Sequence, residues 1–253
     1  MRFWIVLLAC LALAPAARAD LDTARAAYAE GHWSEAAALA QRNGGAEGYA
    51  LAASALLAQL MIEPEADGRE DLADRAFELA DYAHDLDEDN VSARLQLAGA
   101  LGYRGRYMNG IGAYMRRVPQ RGRNLLESVL EDEPSNAWAT GMLGAWHLEV
   151  ARRGGQRGLR TLDASIEAGI GYYTNAIALD PHNPAPRFFF AVALFALDDE
   201  AYYAQAVEQA RIAAQLEPRN AFEEGIHSEA EILNMISHDR PSATRWSDQR
   251  MRM

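Results

Sequence analysis

Four stretches of this chain close in the same way, and that repetition limits the possible fold more than any other feature. In each, a small apolar residue is followed five positions later by Glu or Pro, and two positions after that by Asn. The marks are Ala83–Glu88–Asn90, Val129–Pro134–Asn136, Ala176–Pro181–Asn183 and Ala213–Pro218–Asn220. A proline disfavours helix in the residue before it and then fixes the turn. An asparagine just beyond accepts a hydrogen bond from the free amides that open a new helix. Each mark therefore ends one helix and starts the next.

Other small residues keep register with the marks. Seven positions before each small apolar residue stand Ala76, Gly122, Gly169 and Ala206. Ten positions after each Glu or Pro stand Ala98, Gly144, Ala191 and Ser228, the first three preceded by Leu97, Leu143 and Phe190. Small residues at fixed places let paired helices approach closely, with the larger neighbour filling the core beside them. Between the marks the pattern is helical: Leu72, Ala73, Ala76, Phe77, Ala80 and Ala83 recur at three- and four-residue steps. Abundant Ala and sparse β-branched residues favour the same element.

These positions resemble the tetratricopeptide repeat (TPR) family, in its small residues, its Leu143–Gly144 pair and its closing Pro. A weaker unit lies near the N-terminus, where Gly31-His32-Trp33-Ser34-Glu35-Ala36 looks like the turn within a repeat. The resemblance covers most of residues 21–236. It implies an all-α fold, a TPR-like solenoid or helical bundle of stacked antiparallel helix hairpins, with about ten helices in four or five hairpins. The spacing departs from the family: the Asn marks lie 46, 47 and 37 residues apart, against about 34 in the family. Two repeats are therefore enlarged, by insertions between their paired helices. Glu63–Gly68 reads as a loop. The segment Leu125–Ala151 also resembles a divergent subgroup that includes regulator-of-microtubule-dynamics proteins and periplasmic TPR partners of solute transporters. That likeness implies an α-solenoid and no enzyme.

The N-terminus reads as a targeting segment. Arg2 precedes an apolar run from Phe3 to Ala14, and Ala17-Arg18-Ala19 forms a cleavage site, so the mature chain is expected to begin at Asp20 in the periplasm or outside the cell. Leu7-Leu8-Ala9-Cys10 offers a competing lipoprotein reading, although Cys10 sits early, inside the apolar run. The expected organisation is a signal peptide over 1–19, repeat-like helices over 20–62, the main repeat domain over 63–236 and a flexible tail over 237–253, where Pro241 and scattered arginines replace the helical pattern. No second stretch reads as membrane-spanning.

Composition excludes several chemistries. All 24 basic residues are arginine, so there is no Schiff-base lysine, Walker lysine or Ser-Lys dyad. Cleavage after Ala19 would also remove Cys10, the single cysteine, and with it thiolate chemistry and disulfides. A formal charge of −12 argues against general nucleic-acid binding. No G-x-S-x-G or H-E-x-x-H occurs, Gly110-Ile111-Gly112 lacks the third glycine of a dinucleotide loop, and His227 with Glu231 offers at most two metal ligands. Asp85–Asp89 lacks the central glycine of a calcium loop and reads as a solvated turn. Neither an enzyme nor a cofactor is expected.

Two clusters remain as candidate sites. Arg104, Arg106, Arg116, Arg117, Arg121 and Arg123 form a run without an acid, as do Arg152, Arg153, Arg157 and Arg160. Both fall in the inserted segments, which project on one side of a solenoid. They could merge into a patch for carboxylates or phosphates, or pair internally with the twelve carboxylates of Glu63–Asp89. Tyr172, Tyr173, Phe188 and Phe189 are candidates for a groove, although core packing also accounts for them. The expected function is a non-catalytic protein–protein interaction scaffold of the cell envelope with protein partners, acidic ones if the arginines are free. The alternative is a helical chamber for a small or apolar ligand, serving a membrane transporter; a deep pocket lined by the Phe188–Phe195 and Tyr172–Tyr173 region would favour it.

Overall fold

The computed structural model describes residues 21–64 and 67–252. The expected signal peptide and Cys10 lie outside the described residues. Among those described, every regular element is a helix: α1 (21–29), α2 (Trp33–Asn43), α3 (Gly45–Ile62), α4 (Arg69–Leu86), α5 (Val91–Arg106), α6 (Gly110–Met115), α7 (Val118–Asp132), α8 (Ala137–Leu162), α9 (Ile166–Leu179), α10 (Pro184–Leu197), α11 (Glu200–Ala213), α12 (Ala221–Ile236) and α13 (Arg240–Arg252).

The four Asn marks become four helix starts. Asn90, Asn136, Asn183 and Asn220 each accept a hydrogen bond from a backbone amide of the helix that follows, from Ala93, Ala139 and Ala185 at 2.9 Å and from Glu223 at 3.0 Å. Each such cap contributes about 1 kcal/mol. Antiparallel neighbours then stack: α3 on α4, α5 on α7, α8 on α9 and α10 on α11. This is the all-α solenoid of helix hairpins that the repeats imply, with more helices than expected.

The close approaches are made by the in-register glycines. A Cβ on Gly144 would lie 2.7 Å from Cδ2 of Tyr173 and 3.0 Å from the carbonyl oxygen of Gly169. One on Gly169 would lie 2.8 Å from Cδ2 of Leu148. Only hydrogen fits at either position, so α8 and α9 pack backbone to backbone. Ser228, at the equivalent place in α12, is exposed.

Both enlarged repeats carry their extra residues within a hairpin. The first insertion forms α6, between α5 and α7. The second lengthens α8, which bends at Gly155 (φ 51°, ψ −153°). A positive φ there favours a residue without a Cβ.

One expectation needs correction. The flexible tail is a helix: α13 packs along α10 and also meets α12. Ala243 and Ser247 are fully buried, and the Trp246 ring lies 6.3 Å from that of Phe188. Its start is tied down as well, since Arg240 donates to the Asp198 carbonyl at 2.7 Å and the Tyr203 hydroxyl donates to the Ser237 carbonyl at 2.6 Å. The apolar anchors are few and spaced by three or four among polar residues, so composition hid a helix that tertiary contacts hold. By length and composition alone, helix α3 is long and apolar enough to cross a membrane. Here it packs between α2 and α4, with Ala52, Ala53, Ala55, Leu57 and Leu60 in a core cluster.

The far ends of the array meet. A Cβ on Gly225 in α12 would lie 2.5 Å from Cγ2 of Ile62 in α3. Phe222 stands between two indoles, 6.5 Å from Trp33 and 5.7 Å from Trp138, measured between ring centroids. The superhelix thus curls until its first and last hairpins touch.

Candidate functional site: the central cleft

That curl encloses a cleft with a volume of about 1370 Å³, larger than the roughly 300–1,000 Å³ of ordinary small-molecule pockets. Helices α3, α5, α6, α7, α8 and α10 supply most of its walls, with Phe222 from α12 and Arg250 and Met251 from α13. The wall is mostly apolar, with Leu57, Met61, Trp138, Phe188, Val192 and Phe222 among its residues.

The groove candidates divide. Phe188 is fully buried and forms part of the wall, and half-buried Phe189 lines it beside Phe188, with ring centroids 5.3 Å apart. Tyr173 also lines the cleft but stacks on Phe190 at 4.8 Å and is 3% exposed. Burial pushes its phenol well above the usual tyrosine range. Tyr172 is absent from the lining; it stacks on His147 at 5.5 Å. Consecutive helical residues point about 100° apart, so Tyr172 and Tyr173 serve different sides of α9.

The arginines divide too, into those with an internal carboxylate partner and those without one. Arg104 pairs with Asp74 at 2.8 Å while lying over the Phe77 ring, and Arg121 pairs with Asp81 at 3.2 Å. Both carboxylates belong to the acid-rich stretch. Arg123 pairs with Glu127 at 2.7 Å and donates to the Leu162 carbonyl at 3.2 Å. Arg152 is held between Glu149 at 2.8 Å and Asp248 at 2.7 Å. Arg153 lies 3.9 Å from Glu149 and donates to the carbonyls of Gly105 and Met108 at 3.0 and 2.8 Å, closing the free end of α5. Arg106 lies 4.1 Å over the Tyr103 ring. Among the described residues, no carboxylate stands within ion-pair range of Arg106, Arg116, Arg117, Arg157 or Arg160.

The cleft is cationic in an acidic protein. Its charged residues are Arg69, Arg106, Arg153, Arg157 and Arg250, against Glu149 alone. Arg250 was not expected here. It reaches from α13 across the concave side, pairing with Glu229 at 3.0 Å and donating to the Met61 carbonyl. Burial holds its guanidinium below the ordinary arginine value, and Glu229 partly offsets this. Trp138 and Phe222 were missed as cleft residues, because identifying them required knowing which face of α8 and α12 turns inward. Among the described residues, no group of three or more His, Cys, Asp or Glu side chains is placed to hold a metal ion.

No family model matches the chain, and no curated relative matches it. Its structure is similar to that of a thermophilic TPR protein from Thermus thermophilus, with a TM-score of 0.61 at 15% identity, over 85% of this chain and 99% of that one. The chain therefore has the TPR fold in a divergent sequence.

Proposed function

We propose that this protein is a non-catalytic interaction scaffold of the TPR type, exported to the cell envelope, that holds a segment of a partner protein in its central cleft. The cleft carries this reading. It is large, mostly apolar and lined by five arginines against one carboxylate, in a chain of net charge −12. Such a surface suits a segment with apolar anchors and carboxylates, because apolar burial supplies affinity and charge complementarity supplies register. The chain's own α13 shows the kind of contact involved: a helix on the concave side, with Trp246 against Phe188 and Arg250 reaching Met61.

The closure of the array at Phe222 favours a second reading. Contact between α3 and α12 makes the groove more chamber-like, and Phe188, Phe189 and Tyr173 line it. A chamber would take a small amphipathic or apolar ligand on behalf of a membrane transporter.

One experiment separates the two. A photo-crosslinking side chain replaces Trp138, which lines the cleft and is 38% exposed, and a control replaces exposed Arg211 on α11. After irradiation in cells, adducts are read by mass spectrometry. Polypeptide adducts specific to position 138 support the scaffold, and small-molecule adducts specific to it support the chamber. Equal labelling at both positions overturns the cleft as the binding site.

A further inference from the structure

We propose that the α6 protrusion is a docking element for an anionic lipid surface. Its apolar side chains are exposed, Ile111 at 76%, Tyr114 at 47% and Met115 at 77%, and the first two also line the cleft. On this six-residue helix only Ala113 is buried. An amphipathic helix of a soluble domain normally turns its apolar side to the core, and α6 leaves it exposed.

The charges that flank it in sequence are of one sign. Arg116 and Arg117 follow directly, both exposed and both without a carboxylate in ion-pair range among the described residues. Arg157 lines the same cleft as Ile111 and Tyr114, and Arg153 holds the α6 approach by donating to the Met108 carbonyl at 2.8 Å. Sequence positions 104–123 and 150–162 contain no acid. Arg117 also sits at φ 56°, where glycine is favoured and a long side chain brings the fold no conformational advantage.

An anionic bilayer fits both features. Aliphatic and Met side chains enter the acyl boundary, a tyrosine rests at the headgroup level, and adjacent guanidinium groups bind phosphates. A second copy of the chain fits less well. The protruding tip offers few residues, against the roughly 20–30 a side that a stable protein interface uses.

The test is co-sedimentation of the full chain with vesicles of phosphatidylglycerol and phosphatidylcholine in equal parts, or of phosphatidylcholine alone. Two variants are compared with wild type: Arg116→Glu/Arg117→Glu and Ile111→Ser/Met115→Ser. Because these side chains are exposed, far-UV circular dichroism should be unchanged. Wild type is expected to sediment with the anionic vesicles, less so as salt rises, and each variant to bind roughly tenfold more weakly or less. Equal binding by wild type and variants overturns the proposal, as does absence of wild-type binding. Self-association without vesicles that both variants abolish would identify a second copy as the occupant and also overturn it. Cleft labelling at position 138 has a separate readout, so either idea can fail alone.

Discussion

Arg152 on α8 donates to Asp248 on α13 at 2.7 Å while its other face holds Glu149 at 2.8 Å. The guanidinium is mostly buried and spans residues that are distant in sequence. An arginine that reads as part of a basic patch is thus committed to holding the last helix against the array.

Removing that tether should loosen α13 without unfolding the rest. Asp248→Ala is expected to cost about 1 kcal/mol, the usual net value of a partly exposed charged hydrogen bond. Amide hydrogen exchange should accelerate across residues 240–252 while α8 to α10 keep their protection. If protection of α13 were unchanged, Trp246 and Ala243 would be its principal anchors instead.

Gly144 should tolerate no side chain. Its added Cβ would meet a Tyr173 ring that is itself fixed by stacking on Phe190, and the backbone of α9 lies just beyond. Gly144→Ala is expected to destabilise by about 1–3 kcal/mol through overpacking. Gly154→Ala is the control: nothing lies within 4 Å of that position, and alanine there should stabilise by up to about 1 kcal/mol. Urea unfolding of the two variants measures the contrast.

His147 should make stability depend on pH. Its imidazole is buried and accepts the Ser165 backbone N–H at Nδ1, 3.2 Å away. Burial holds its pKa below the ordinary value of 6.5; Arg123 adds to the effect, and Glu127 and Asp163 oppose it. The folded state therefore favours the neutral ring. This contribution is complete above the unfolded value and is lost as pH falls from there through the lower folded value. Comparing urea midpoints at about pH 7.5 and about pH 5.5, wild type should lose stability and His147→Gln should lose less. An equal loss in both proteins would assign the dependence to other groups.

Local chemistry was legible in the sequence. An Asn after a helix-ending Glu or Pro needs only its own side chain and the next turn to cap a helix, so all four marks could be read without a partner. The same holds for the small residues at Gly144 and Gly169, whose fixed register announces a close helix pair. The insertions could be located because they stretch the interval between marks. The tail was not legible: Ala243, Trp246, Ser247 and Arg250 follow helical spacing, but two of the four are polar, and isolated short helices are marginal in water.

The sequence by itself determined where four of the helices begin, that close helix pairs follow the marks and that two repeats are enlarged, because capping, turn formation and close helix approach depend on residues near in the chain. Only the tertiary structure decided which arginines are free and what lines the cleft. Arg104 finds Asp74, Arg152 finds Asp248, and Phe222 settles between Trp33 and Trp138 because the superhelix curls far enough to bring its ends together. That curl is the sum of small rotations between successive hairpins, and no single segment encodes it.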